Sequence, residues 1–201
     1  MSKAEKTKQF IIEKTATLFN TKGYISTSLS DITEATGLTK GSIYGNFENK
    51  DQLAIEVYKY NSGLLGKSMS KSLGDEFPTT IDKLNAFVNF YRKNWQLVFE
   101  TGGCPLMNAA TEADDKFPTL KKQVTESFKG WIKNITEVIV QGQKKGEIYK
   151  DLNPTEFGSL FIMLVEGGIL LSKTTGDEKY LNLALDRTLL IIDKELKQNI
   201  S

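Results

Sequence analysis

Apolar side chains recur at the three- and four-residue spacing of an α-helix through nearly all of this 201-residue chain, and strand-type alternation of β-branched residues is short and rare. That regularity restricts the fold to the all-α class. A chain of this length, 39% hydrophobic and 25% charged, buries a sizeable core in one or two compact domains rather than remaining disordered.

Helix starts and stops can be read from local chemistry. "AEKTKQFIIEKTATLFNTKGY" sets Ile12, Ala16 and Phe19 on one stripe and stops at Gly23. In "STSLSDITEATG", Ser28 and Asp31 have capping-box spacing, Ile32 and Ala35 are expected to face inward, and Gly37 ends a very short helix. "LTKGSIYGNF" restarts with Thr39 as cap and Ile43 and Phe47 as an apolar pair one turn apart. A longer helix follows from near Lys50 to Gly74, with Phe77 and Pro78 breaking it. Beyond it, "TTIDKLNAFVNFYRKNWQLVFETGG", "CPLMNAATEADDKFP", "TLKKQVTESFKGWIKNITEVIVQGQKKGEI", "NPTEFGSLFIMLVEGGILLSKTTG" and "EKYLNLALDRTLLIIDKELKQ" each read as a helix. The one domain joint that this pattern suggests lies near residue 50.

The third of these segments contains an apparent waste. Gly41 and Gly45 lie one turn apart in a short helix, where each costs about 1 kcal/mol relative to alanine. With Ile43 and Phe47 turned inward, both glycines fall on the outer face among Thr39, Lys40, Ser42, Tyr44 and Asn46. A ridge without side chains lets a helix approach another surface closely. A short helix, a glycine turn and a second helix led by threonine and lysine is also the arrangement that places a helix in the major groove of DNA.

Residues 11–53, "IIEKTATLFNTKGYISTSLSDITEATGLTKGSIYGNFENKDQL", closely resemble the DNA-binding domain of the TetR (tetracycline repressor) family of transcriptional regulators. The match runs through the Ile, Ala and Leu-Phe of the first helix, the Gly-Tyr exit, the Thr-Ser before the second helix, Ala-Thr-Gly-Leu-Thr, Gly-Ser-Ile-Tyr and Phe-x-x-Lys-Asp-x-Leu. The resemblance implies an N-terminal three-helix helix-turn-helix DNA-binding domain over residues 1–50 with a linking helix from about 50 to 74. A larger helical effector-binding and dimerisation domain would take residues 51–201. It further implies that Thr27 and Ser28 touch the DNA backbone, that Thr39 and Lys40 lead the recognition helix with Gly41 and Ser42, that Tyr44 bonds a phosphate and that Lys50 anchors the next helix to the strand. Asn46 stands where many relatives carry a histidine or aromatic, with Gly45 before it; asparagine still reaches phosphates and base edges.

Composition limits the alternatives. The chain has no histidine and one cysteine, which closes ordinary zinc sites, Ser-His-Asp or Cys-His catalysis and an internal disulfide framework. No metal, cofactor or catalytic residue is expected. The polar start "MSKAEKTKQ" lacks the core of a secretion signal, and no stretch reaches the roughly 18 uninterrupted apolar residues of a membrane span, so a cytoplasmic protein without a membrane partner is expected. Net charge is only +1 overall, and residues 1–50 carry seven lysines against five acids. Placement must therefore supply the phosphate contacts: Lys3, Lys6 and Lys8 are expected ahead of the first helix, and Lys40 and Lys50 bracket the third.

In the second half, aromatic residues at helical spacing read by default as core. The resemblance implies that some line an effector cavity, with Phe90, Trp95, Cys104, Asn108, Phe128 and Trp131 as candidates and Asn89, Arg92 and Glu112 as further polar ones. Cys104, after two glycines and before Pro105, is either a thiol activated at a helix N-terminus or a small buried hydrophobe; no basic neighbour in sequence supports the first. "FGSLFIMLVEGGILLSK" and "YLNLALDRTLLIID" are apolar on more than one face, which predicts a homodimeric four-helix interface with Gly158, Gly167 and Gly168 at close approach. A dimer in turn predicts a near-palindromic double-stranded operator. Three functional classes remain: a regulator, most simply a repressor, released by a small-molecule effector; an all-α enzyme with a degenerate DNA-binding segment; and a helical interaction protein.

Overall fold

The computed structural model describes residues 2–74, 76–113 and 116–198. These form nine α-helices: α1 Lys3–Lys22, α2 Leu29–Thr36, α3 Lys40–Tyr44, α4 Lys50–Ser72, α5 Thr80–Glu100, α6 Pro105–Ala113, α7 Pro118–Lys145, α8 Pro154–Thr175 and α9 Lys179–Ile191. A π-helical turn, Ile192–Leu196, follows. Among the described residues the sole β pairing is an isolated bridge between Ile148 and Lys197.

The short N-terminal helices end where their local chemistry ends them. Gly37, at φ 68°, takes the left-handed conformation that other residues avoid, and its amide donates to the Thr33 carbonyl to close α2. Asp31 and Ser28 form the reciprocal capping box, and the Thr39 hydroxyl accepts the Ser42 amide hydrogen at 3.2 Å to start α3. Two local expectations are corrected. Ala35 is exposed and Thr36 takes the inward place beside Ile32, its hydroxyl satisfied by donation to the Ile32 carbonyl at 2.7 Å. Lys3, Lys6 and Lys8 lie within α1, not ahead of it, because Ser2 caps that helix with Glu5.

The chain divides into two compact units. The first comprises the described parts of residues 1–65 and 101–127, so α6 and the start of α7 share a unit with α1 to α3. Its core includes Ile11, Phe19, Tyr24, Ile32, Ile43 and Phe47. Tyr24 stacks at 5.8 Å on Phe19 and edge-on at 5.9 Å on Tyr58. Burial raises both phenols, Tyr58 to about 12, so both stay neutral hydrogen-bonding groups; Tyr58 donates to the Ser127 hydroxyl at 2.9 Å.

The second unit, residues 66–100 and 128–201 where described, is built on Leu84, Phe87, Tyr91, Ile135, Phe161 and Leu185. Within it α8 packs closely on its neighbours. A Cβ on Gly168 would stand 2.9 Å from Ala184 Cβ on α9, and one on Gly158 would stand 2.6 Å from Thr136 Oγ1 on α7. These two glycines therefore serve contacts inside the chain, whereas Gly167 faces open space. By length and composition α8 could cross a membrane, but its buried residues Phe161, Ile162, Val165 and Ile169 belong to this core. On α7, Phe128 and Ile132 are half-buried, and Trp131, Ile135, Val138 and Ile139 form its buried face. Residues 196–198 are held to the segment after α7 by the Tyr149 amide donating to Leu196 and the Gln198 amide donating to Glu147.

Candidate nucleic-acid interface

Helix α3 is only five residues long, and its orientation is set by burial of Ile43 and Phe47, each 2% exposed. Phe47 lies beyond the helix, brought in by a turn in which the Gly45 amide donates to Gly41 and the Phe47 amide to Ile43. The opposite face carries Thr39, Lys40, Gly41, Tyr44 and Gly45, all exposed, with Ser42 and Asn46 half-exposed. A Cβ on Gly41 would meet nothing nearer than Thr39 Oγ1 at 3.9 Å, so no packing inside the chain requires a glycine there. What the bare backbone leaves room for lies outside the molecule.

The polar groups on this face have distinct commitments. The Asn46 amide group folds back and donates to the Ser42 carbonyl at 2.8 Å, which leaves its carbonyl oxygen as the group still free of that turn. Tyr44 is 48% exposed, its ring projecting from the core stripe. Ser28 and Asp31 are bonded to one another at 2.7 Å, and Lys22 reaches Asp31 at 2.6 Å. The Lys22 ammonium, and then Ser28, hold the Asp31 carboxyl at about 2, so it is ionised throughout the neutral range.

Two of the expected contact residues turn inward. Thr27 is fully buried and its hydroxyl donates to the Gly23 carbonyl at 2.6 Å, so its side chain is a structural element of the α1–α2 turn. Lys50 donates to the carbonyls of Ile25 at 2.6 Å and Thr27 at 3.0 Å, fastening the start of α4 to that turn. Lys8, counted from sequence only as a charge, places its ammonium 5.4 Å from the centroid of the Phe47 ring.

Sequence reasoning missed the brace behind this face. Glu112 of α6, considered as a cavity wall, accepts the amide hydrogens of Tyr24 at 3.1 Å and Ile25 at 3.0 Å. Asn108, one turn earlier, donates to the Asn20 carbonyl and side-chain oxygen, each at 3.0 Å, and to Gly102 at 2.7 Å. No local signal marks partners 87 and 88 residues away. Cys104 is 1% exposed, which fits the small buried hydrophobe and not an activated thiol.

The remaining cavity candidates are dispersed. Trp95 stacks edge-on with Phe99 at 5.5 Å, and both line a cavity of about 500 Å³ with Ser172, Lys173, Gly176, Asp177 and Glu178. Phe90 packs on Tyr91, and Phe128 on Trp131, away from that lining. Arg92 is paired with Asp186 at 2.6 Å, and Asn89 is exposed.

Comparison with known proteins accords with this geometry. Residues 11–57 match the family model described as bacterial regulatory proteins, tetR family, and residues 80–188 match the tetracyclin repressor-like C-terminal domain. The chain is 26% identical over 200 residues to the HTH-type transcriptional repressor DhaR of Mycobacterium sp. (strain GP1), with 96% of each chain covered. Among solved structures it is similar to a TetR-family transcriptional regulator from Cytophaga hutchinsonii, at 38% identity and TM-score 0.93, covering 100% of this chain and 99% of that one. It is similar also to a TetR transcriptional regulator from Chloroflexus aurantiacus J-10-FL, at 30% identity and TM-score 0.91, covering 99% and 100%.

Proposed function

The chain belongs to the TetR family of DNA-binding transcriptional regulators, and from that premise we propose that it is a cytoplasmic repressor that holds a near-palindromic operator as a homodimer and leaves it when a small-molecule effector binds. Family membership sets aside the enzyme reading. The observation that carries the proposal is the exposed face of α3, where no contact inside the chain requires the bare backbone of Gly41. In this reading Thr39, Lys40, Gly41, Ser42, Tyr44 and Asn46 meet the major groove and its phosphates, Ser28 meets the strand beside α2, and Thr27 and Lys50 position the turn rather than touch DNA. The sign of regulation leans on the Mycobacterium relative, which is named a repressor.

Dimerisation is supported by apolar side chains that a single chain leaves in water. Met163, Leu170 and Leu171 of α8 and Leu183 and Leu190 of α9 are each at least 46% exposed, and a second copy would cover them. The proposed functional division, a DNA-binding domain at 1–50, a linking helix to about 74 and an effector and dimerisation domain over 51–201, differs from the compact units in one useful respect. Because α6 shares a unit with α1 to α3, a displacement of α6 acts directly on the α1–α2 turn through Glu112 and on the end of α1 through Asn108.

The test is selection of binding sites from random duplex DNA followed by gel shift on the selected sequence. An enriched near-palindrome bound with strong salt dependence is the expected result. Recovery of no enriched sequence would overturn the reading in favour of a helical interaction protein.

A further inference from the structure

At the turn before α2 the hydrogen-bonding groups of Ser28 are all in use. Its hydroxyl and its amide each donate to Asp31 Oδ2 at 2.7 Å, the hydroxyl oxygen accepts the Asp31 amide hydrogen at 3.2 Å, and the Ser28 carbonyl accepts from the Ile32 amide. The Asp31 carboxylate is ionised and only accepts, so the bond between the two side chains consumes the serine proton. A hydroxyl has one proton to give, and a phosphate oxygen likewise only accepts. Ser28 thus stands at the entry to α2 with nothing left to donate to a DNA strand.

Two ammonium groups stand at the same turn. Lys50 is spent on the carbonyls of Ile25 and Thr27. Lys22, in the last turn of α1, has a side chain 46% exposed and reaches Asp31 Oδ2 at 2.6 Å, its one ion pair among the described residues. An ammonium carries three donors on a flexible stem, so it can take a second acceptor or leave the first without a change of fold. Its departure strands neither partner: Asp31 keeps both bonds from Ser28, and an ion pair with so exposed a lysine holds weakly.

We propose that Lys22 makes the phosphate contact at the entry to α2, its ammonium extending from Asp31 to an operator phosphate while Ser28 holds the carboxylate in place. Ser28 is then a positioning residue. The inference rests on the reading of α2 and α3 as the operator-binding face and names the residue that supplies hydrogen bonds and charge beside α2.

The test replaces operator phosphates one at a time by uncharged methylphosphonates and measures gel-shift affinity for wild type, Lys22→Gln, Ser28→Ala and Asp31→Asn, each with its helical circular dichroism checked. At one position the replacement is expected to weaken wild type and Ser28→Ala by about tenfold but Lys22→Gln by about twofold or less, as loss of a single charge-assisted bond requires. On the unmodified operator Lys22→Gln binds more weakly. Asp31→Asn, which frees the ammonium, removes a negative charge and keeps an acceptor for Ser28, binds more tightly. If Lys22 only stapled α1 to α2, both variants would break the same ion pair and both would lose affinity. Such parallel losses, a phosphate coupled to Ser28 in place of Lys22, or no phosphate coupled to Lys22 overturns the proposal and leaves the regulator reading intact. Failure of the wild-type protein to bind any duplex overturns both.

Discussion

Glu112 occupies the space that a side chain on Gly23 would need. Its carboxylate oxygens stand 2.6 and 2.7 Å from where a Cβ at that position would lie, and the same oxygens accept the amide hydrogens of Tyr24 and Ile25. The glycine, at φ 108°, and the glutamate from α6 are thus two halves of one joint at the α1–α2 turn.

Breaking that joint should destabilise the first unit. Glu112→Ala leaves two part-buried amides without their acceptor, at about 1–3 kcal/mol, and Glu112→Gln, which retains one acceptor oxygen, should lose less. Gly23→Ala displaces the carboxylate and adds backbone strain. Urea unfolding of the two alanine variants and their double mutant should show the double costing less than the sum, since removing the glutamate vacates the space. Simple additivity would refute the joint.

Gly41 separates DNA contact from folding. Because nothing in the chain crowds a Cβ there, Gly41→Ala should leave thermal stability equal or raised by up to about 1 kcal/mol, while operator affinity falls. Undiminished affinity would show that close backbone approach is not used.

Tyr44→Phe and Lys40→Ala alter exposed groups off the Ile43 and Phe47 stripe, so helical content should not change. Loss of a phosphate partner at Lys40 should reduce the salt slope of operator binding by about one unit, loss of the neutral Tyr44 hydroxyl should weaken binding with the slope unchanged, and loss of a base contact at either should cost about 1–3 kcal/mol at one position of the site. Unaltered affinity and slope in both would displace α3 from the groove.

Leu183, 69% exposed, can be replaced by glutamate without disturbing the single chain's core. Analytical ultracentrifugation should find wild type dimeric at micromolar concentration and Leu183→Glu shifted to monomer, with weakened operator binding. A wild-type monomer with normal operator affinity would reject the two-fold arrangement.

Asp31 gives the acid limb of stability a specific contributor. Its carboxyl, held at about 2 against the ordinary 3.8, favours the folded state when ionised. That contribution is complete above about pH 4 and is lost as pH falls toward 2. Acid titration of the fold should therefore be shallower for Asp31→Asn than for wild type in that window, and identical profiles would remove Lys22 and Ser28 as the cause.

What was legible in the sequence lay within about one helical turn of the residue that carried it. The Ser28–Asp31 capping box, the Thr39 cap, the left-handed Gly37 and the Ile43–Phe47 stripe all depend on neighbours at most four residues away, so their chemistry is written in consecutive letters. For the same reason the helix-turn-helix motif, a string of such local devices, is recognisable in the amino-acid sequence alone. Tertiary structure decided which polar side chains were already committed. Thr27 and Lys50 carry the residue types of DNA contacts, yet one is buried and the other fastens α4 to the carbonyls of residues 25 and 27. Glu112 and Asn108 find partners some 88 residues back in the chain, and the Trp95 cavity exists because the ends of α5 and α8 meet. Local spacing cannot encode such encounters: they depend on which helices the whole core brings together, and burial then determines whether a polar group faces solvent or satisfies the backbone beside it.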